Sequence, residues 1–315
     1  MAFPLPRPAA PELPKKLIRT LDCRQGTVRA VRFSADGHYC ITCGSDKTLR
    51  LWNPLTGRLL KTYTGHGYEV LDTVGSFDNS QLASCSGDKT VILWDVASGQ
   101  SVRRFRGHVG KVNCVDFNEE STIVVSGSID GSARCWDTRS RRANAVQTLS
   151  EARDGVSSVR VSPHEIVTGS VDGRVRRYDL RVGKLHSDYI GCPLSNVALS
   201  RDGQCVLAAS LDSTLRLLDK ETGELLGEFT GHEASSYRVE CCFSERDTHI
   251  VCGSEDGRVC FWDLLEGSKV LELPVGKGVI SSLAFHPSAP ALLTTHSAAV
   301  QLWREESYEL EDVTT

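Results

Sequence analysis

Short apolar runs punctuated by polar tight-turn signals fill the chain from residue 15 to residue 304, and the stretch Ser84 to Asp95, SCSGDKTVILWD, sets the pattern for the rest. Gly, Asp and Ser announce a turn, and the apolar run that follows is closed by Trp94 and Asp95. Around it lie YEVLDTVGSF, QLASCS and QSVRRF, each short and bounded by Gly, Asp, Asn or Ser, so the unit reads as four strands. TVILWD is apolar at consecutive positions, as expected of a strand covered on both faces of its sheet.

The unit recurs. The Trp94 position is filled in turn by Trp52, Trp94, Trp136, Tyr178, Leu218, Trp262 and Trp303, at spacings of 42, 42, 42, 40, 44 and 41 residues. Six residues before each stand Asp46, Asp88, Asp130, Asp172, Asp212 and Asp256, with Ser297 in the last copy. One four-stranded unit cannot bury both of its faces until neighbours stack on it, so in-phase copies predict one closed domain over residues 15–304. Length alone would have favoured about two domains. A period near 42 residues ending in Trp-Asp resembles the WD40-repeat family, and the seven copies then imply an all-β, seven-bladed WD40 β-propeller.

Outermost strands read GRLLKTYTGH, GQSVRRFRGH and GELLGEFTGH, and the N-terminal KKLIRTLDCR reads alike although no third strand precedes it. After Trp303 only REESYELEDVTT remains. The first strand is therefore expected to complete the last blade, which removes exposed sheet edges. Residues 1–14 form a proline-rich arm with proline where a secretory signal needs a continuous apolar core, and residues 305–315 an acidic tail. Both are expected to be mobile.

Composition narrows the chemistry. A formal charge of -4 and a pI near 6.2 give no global attraction to nucleic acid or to an anionic membrane. No apolar run approaches the roughly 18 residues of a membrane span. The twelve cysteines are spread over the repeats, mostly at strand positions such as Cys114, Cys135, Cys241 and Cys260, a distribution that suits free thiols in a reducing compartment. Cys40 and Cys43 form a CxxC pair, but their odd separation on a strand points them to opposite faces, so no metal or cofactor is expected.

His66, Ser84, Asp88 and Trp94 have the residue types of a hydrolase triad beside an aromatic ring. The set repeats as His108, Ser126, Asp130 and Trp136, and three of its four members recur as His232, Asp256 and Trp262. An active site is normally built once. The WD40 resemblance implies instead a hydrogen-bonded tetrad that ties the loop before the first strand to the turn between strands two and three. GxSxG, HExxH and GxxxxGK[ST] sequences are absent, so no catalytic residue is expected and the chain does not read as an enzyme.

Ten arginines run through repeats three and four: Arg134, Arg139, Arg141, Arg142, Arg153, Arg160, Arg174, Arg176, Arg177 and Arg181, outnumbering the acids of that span by four. They could hold RNA phosphate or an acidic partner, or simply solvate outward strand faces. Sparse aromatics weigh against single-strand stacking, so direct RNA contact is not favoured. Within the same span, VVSGSIDGSARCWDTR and IVTGSVDGRVRRYDLR resemble the box by which substrate receptors dock onto a cullin-based ubiquitin ligase. Only the closing Arg139 and Arg181 go beyond an ordinary blade.

Longer phrases carry a closer resemblance. PELPKK, CGSDKTLRLWNPLTG, EARDGVSSVRVSPHEIV, GSVDGRVRRYDLR, LDSTLRLLDKETGELLGE and SERDTHIV are similar to those of the mitogen-activated protein kinase organizers, a group of single-propeller WD-repeat proteins. The resemblance implies a non-catalytic scaffold for components of the extracellular-signal-regulated kinase cascade, with a second association with spliceosomal proteins in pre-mRNA splicing. A cytoplasmic and nuclear monomer within larger complexes is expected. In WD40 propellers the narrower face is lined by residues flanking the first-strand valine and by the residue before the turn Asp. Here the valine positions are Val28, Val70, Val112, Val156, Leu194, Val239 and Val279, and their flanks include Arg29, Glu69, Lys111, Asn113, Arg238, Glu240 and Ile280. Glu255 precedes its turn Asp, and Tyr68 and Tyr237 lie in the approaching loops. These ten residues are the expected partner contacts.

Overall fold

Blade two folds as its pattern dictates, with strands Val70–Gly75, Gln81–Ser86, Thr90–Asp95 and Ser101–Arg106 pairing antiparallel in sequence order. The computed structural model describes residues 13–140 and 142–305, and among them seven such four-stranded sheets form a ring. In the turn after Ser86, Asp88 Oδ1 accepts the Thr90 N–H and hydroxyl, and Lys89 takes a left-handed φ of 67°. The same left-handed position is Gly131, Gly173 and Gly257 in blades three, four and six, where the missing Cβ removes the strain.

The core lies in the seams between blades. Val91, Leu93 and Phe105 of blade two pack with Val112, Val115 and Trp136 of blade three, and the Phe105 ring stacks on Trp136 at 5.3 Å between centroids. The third strand of blade two is buried along its length up to Asp95, whereas its outermost strand buries only Phe105 fully. Apolar runs at consecutive positions thus mark strands covered on both sides, and no blade has a core of its own.

Closure follows the expected route. Lys16–Asp22 pairs antiparallel with Ala299–Arg304, from Lys16 opposite Arg304 to Asp22 opposite Ala299, and so becomes the outermost strand of blade seven. Leu21 and Cys23 then share a cluster with Trp52, Val300 and Leu302. Two boundaries shift. Leu13 is half-buried against the seam of blades six and seven and Pro14 is buried, so these two belong to the propeller rather than to the arm. Glu305 donates its N–H to Pro290 O at 3.3 Å and likewise belongs to the last blade. The mobility expected of the arm and tail concerns residues 1–12 and 306–315, which lie outside the described residues.

The frame slips once. Trp52, Trp94 and Trp136 donate to a hydroxyl ten residues back, on Thr42, Ser84 and Ser126. Trp303 donates to Thr294, nine back. The second hairpin of blade seven is therefore one residue shorter, and Ile280, not Val279, fills the buried valine position. All twelve cysteines are free thiols, and burial pushes Cys40, Cys43, Cys85 and Cys252 far above their ordinary range. Among the described residues no helix is long and apolar enough to cross a membrane.

Candidate functional site

The innermost strands surround a central channel. Loops leading into those strands and turns between second and third strands gather at one end, the upper face, where the channel opens into a cavity of about 700 Å³. Its walls are apolar at Leu71, Val171, Leu194, Leu211 and Val279, with Arg29, Glu69, Lys111, Tyr237 and Arg238 among the polar groups between them. Arg29 pairs with Glu69 at 2.8 Å. Tyr68 and Tyr237 are 66% and 59% exposed, so both rings face solvent on a braced frame.

An ion cluster that includes the cavity-lining Arg238 and Glu240 ties distant blades together. Arg32 of blade one donates to Asp72 of blade two and to both carboxylate oxygens of Glu240 of blade six, each at 2.8 Å. Ser282 of blade seven donates to Glu240 at 2.7 Å. Arg238 lies 3.4 Å from Glu240 and donates to the Asn113 carbonyl at 2.7 Å. Burial opposes the charge on Glu240, but Arg32, Arg238 and the Ser282 hydroxyl outweigh it and hold the carboxyl below its usual range.

Five expected contacts, Arg29, Tyr68, Glu69, Lys111 and Tyr237, are accessible on this face. The others are corrected. Glu240 is 3% exposed and committed to Arg32, and Ile280 is buried in a seam. Asn113 and Arg238 line the cavity but are half-buried and held by hydrogen bonds, Asn113 through Val156 O at 3.0 Å. In blades one to five the inner ladder shifts register just after the valine position, which turns the flanking residue toward the mouth. Blade six pairs only from Cys241 onward, so Glu240 points into the channel. Glu255 serves as an internal brace, accepting the N–H groups of Ser235, Ser236 and Tyr237 at 2.7, 2.7 and 2.8 Å.

The tetrads of blades two and three are closed chains. Trp94 Nε1–H can only donate, so Ser84 Oγ accepts it at 2.8 Å and passes its own hydrogen to His66 Nε2 at 2.8 Å, leaving Nδ1–H for Asp88 at 3.0 Å. Trp136, Ser126, His108 and Asp130 repeat the arrangement. Burial works against the Asp88 charge, but hydrogen bonds from His66, Thr90 and the Gly67 N–H hold its carboxyl far below the ordinary value. Ser84 and Ser126 are fully buried, with both bonding partners inside the protein, so these sets brace loops and attack nothing.

Blade six departs from the expected tetrad. Arg258, two residues after Asp256, takes the Asp256 carboxylate with its Nε at 2.7 Å. Cys252 stands where Ser84 and Ser126 stand, and Trp262 Nε1 turns to Thr230 O at 3.1 Å. His232 is left buried against the Trp262 ring with neither nitrogen bonded. A charge-assisted arginine displaces the histidine. Arginines four residues on, rather than two, hold Asp172 to Arg176 and Asp212 to Arg216 where no histidine competes. In blade one Gln25 fills the histidine place and binds Thr42 and Thr48, a role legible only in Thr42 standing ten before Trp52.

The arginine run does not form one patch. Arg176 and Arg177 are buried, paired with Asp172 at 2.6 Å and Asp188 at 3.7 Å, and Arg174 lies over the Tyr189 ring at 4.9 Å. Arg139, Arg142 and Arg181 are exposed near the opposite, lower face, where Asp137 and Asp179 partner Arg139 and Arg181. Arg141 lies outside the described residues. Among the described residues no group of His, Cys, Asp and Glu could hold a metal ion.

The family model described as WD domain, G-beta repeat matches residues 15–53, 57–95, 99–137, 143–179 and 223–263. The chain belongs to the WD40 family. The repeats left unmatched are the one with Leu218 in the tryptophan place and the one with the shortened hairpin. This WD40 chain is 73% identical over 312 residues to WD repeat domain-containing protein 83 of Homo sapiens, covering 99% of each protein. It is 68% identical to the protein of that name from Danio rerio, covering 97% of each. With the Dictyostelium discoideum homolog the identity is 32%, over 90% of this chain and 97% of the relative. Family and fold make it a protein-interaction scaffold.

Proposed function

We propose that this WD40 scaffold gathers components of the extracellular-signal-regulated MAP kinase cascade and associates with spliceosomal proteins, capturing partners at the upper-face cavity. The observation that carries the reading is the cavity itself: apolar walls and convergent polar groups that include the exposed Tyr237, set on a ring braced by tetrads and by the channel ion cluster, with Tyr68 exposed on the same face. Concave sites with apolar walls and few oriented polar groups are where ligands bind, and loops on a rigid scaffold are where binding residues concentrate. The phrases shared with the organizer group support the choice of partners. Such partners place the chain in both cytoplasm and nucleus.

Affinity capture with the wild-type chain and a Lys111→Ala/Tyr237→Ala variant, read by mass spectrometry with and without nuclease, tests the reading. Kinase-cascade components should be recovered by the wild type and lost by the variant, and spliceosomal proteins should survive nuclease. Recovery of every partner by the variant would move the site elsewhere on the ring.

A further inference from the structure

The residue before the turn Asp changes character around the ring. Blades one, two and six carry Ser45, Gly87 and Glu255 there, whereas blades three, four and five carry Ile129, Val171 and Leu211 in succession. These turn residues lie on the upper face, with Val109 in the loop entering blade three. Val109, Ile129 and Val171 are 73%, 50% and 40% exposed, and Val171 and Leu211 continue into the cavity wall. The arc is continuous. A Cβ at Gly110 would lie 2.5 Å from the Ile129 side chain and one at Gly155 3.1 Å from its Cα, so two glycines let Ile129 lie across the seam of blades three and four. Val171 then joins by donating its N–H to Gly155 O at 2.9 Å. Connected aliphatic residues at turn positions, which ordinarily favour polar side chains, mark an interaction surface.

Two cations border the arc. Lys111 holds the Ile129 N–H on its own carbonyl at 3.0 Å, and Arg153 sits in the loop entering blade four, its N–H on Asp172 at 2.9 Å. Both side chains are exposed, and among the described residues no acid pairs with either. Unneutralised cations beside apolar surface favour a carboxylate next to apolar side chains. A nucleic-acid strand brings negative charge too, but aliphatic side chains offer no stacking platform for its bases.

We infer that this arc takes an acidic, apolar segment of a protein partner: bulky apolar side chains laid over Ile129, Val171 and Leu211, with a neighbouring carboxylate reaching Lys111 or Arg153. The inference rests on the capture site proposed above and assigns the chemistry of what is captured.

Selection of a display library of random 12-residue peptides on the wild-type chain tests it. Enriched peptides should combine apolar residues with Asp or Glu. They should bind about ten-fold more weakly to Ile129→Ser/Val171→Ser, the order expected when roughly 50 Å² of apolar contact is lost. Lys111→Met should weaken them about three-fold, a difference that disappears in high salt. Unchanged melting temperatures establish that both variants are folded. Enriched peptides that are basic, or that the serine variant retains at full affinity, overturn the inference, as does failure to enrich any peptide over the serine variant. Peptides lost on Tyr237→Ala but kept by the serine variant would preserve the capture site and sink this assignment alone.

Discussion

Arg32 and Glu240, 208 residues apart in sequence, face each other across the channel in a two-pronged pair, Nη1 to Oε2 and Nη2 to Oε1, each at 2.8 Å. Both side chains are largely buried, so removing one leaves the other short of its counter-charge. Glu240→Leu should lower stability by about 3–5 kcal/mol in denaturant titrations. Arg32→Met with Glu240→Leu should lose less than the two single changes added together. A Glu240→Leu midpoint equal to wild type would show that the pair does not hold the ring.

His108 and His232 occupy corresponding places with opposite bonding, and their substitutions should diverge. His108→Ala strands Asp130 and Ser126 and should cost about 1–3 kcal/mol. His232→Phe breaks no hydrogen bond and keeps the apolar contact with Trp262, so it should be neutral or stabilising. Equal losses at the two sites would contradict the bonding described.

The repeat frame was legible because aromatic-Asp endings and turn Asp residues recur at fixed offsets, and the seven sheets and the closure through Lys16–Asp22 follow from it. What the frame hid came from contacts it does not encode. Arg32 stands 40 and 208 residues from Asp72 and Glu240, and only the closed ring makes them neighbours. Charged residues inside otherwise apolar inner strands were the available signal. In blade six three of the four residue types of a tetrad were present, but Arg258 competes for the same carboxylate and Cys252 replaces the hydroxyl, so spacing alone misassigned His232. Blade seven misled by one residue because its turn is shorter, which placed Ile280 on the surface when it belongs to a seam.

Restoring the partners should repair blade six. Arg258→Thr frees Asp256, and Cys252→Ser supplies the hydroxyl that Ser84 supplies to His66 in blade two. The double variant should gain about 1 kcal/mol. Amide exchange of the 233–237 loop should slow as His232 ties it down. A loop that exchanges as fast as before would mean that a restored His232 adds nothing to the brace Glu255 already supplies.

Acid should weaken the fold in a defined order. Burial pushes His232 and His286 down to about 4, and lowers His108 despite Asp130 beside it. The folded chain thus keeps these rings neutral while the unfolded chain protonates them near pH 6.5. Their contribution is complete above that value and is lost as pH falls toward the folded values. Asp88 and Asp130, held ionised in the fold, extend the loss below about pH 4. The melting temperature should therefore drop by several degrees from about pH 7.5 to about pH 5.5, a window above carboxylate titration. His232→Phe should flatten that slope. A melting temperature that is constant or rises across the window would reverse the sign.

If RNA were contacted directly, only the exposed arginines could do it, because Arg176 and Arg177 are buried. Charge reversal at Arg176 would strand Asp172 beside a new carboxylate, so a loss of binding there would report unfolding and not recognition. The informative variant is Arg139→Glu/Arg142→Glu/Arg181→Glu, which changes only side chains that already face solvent. Such exposed ion pairs contribute little, so its melting temperature should stay within about a degree of wild type. Crosslinking to RNA should be at background for both proteins, with spliceosomal partners reached through protein contacts. A strong wild-type crosslink that weakens steeply with added salt and vanishes in the triple variant would instead make the lower-face arginines a phosphate-binding surface.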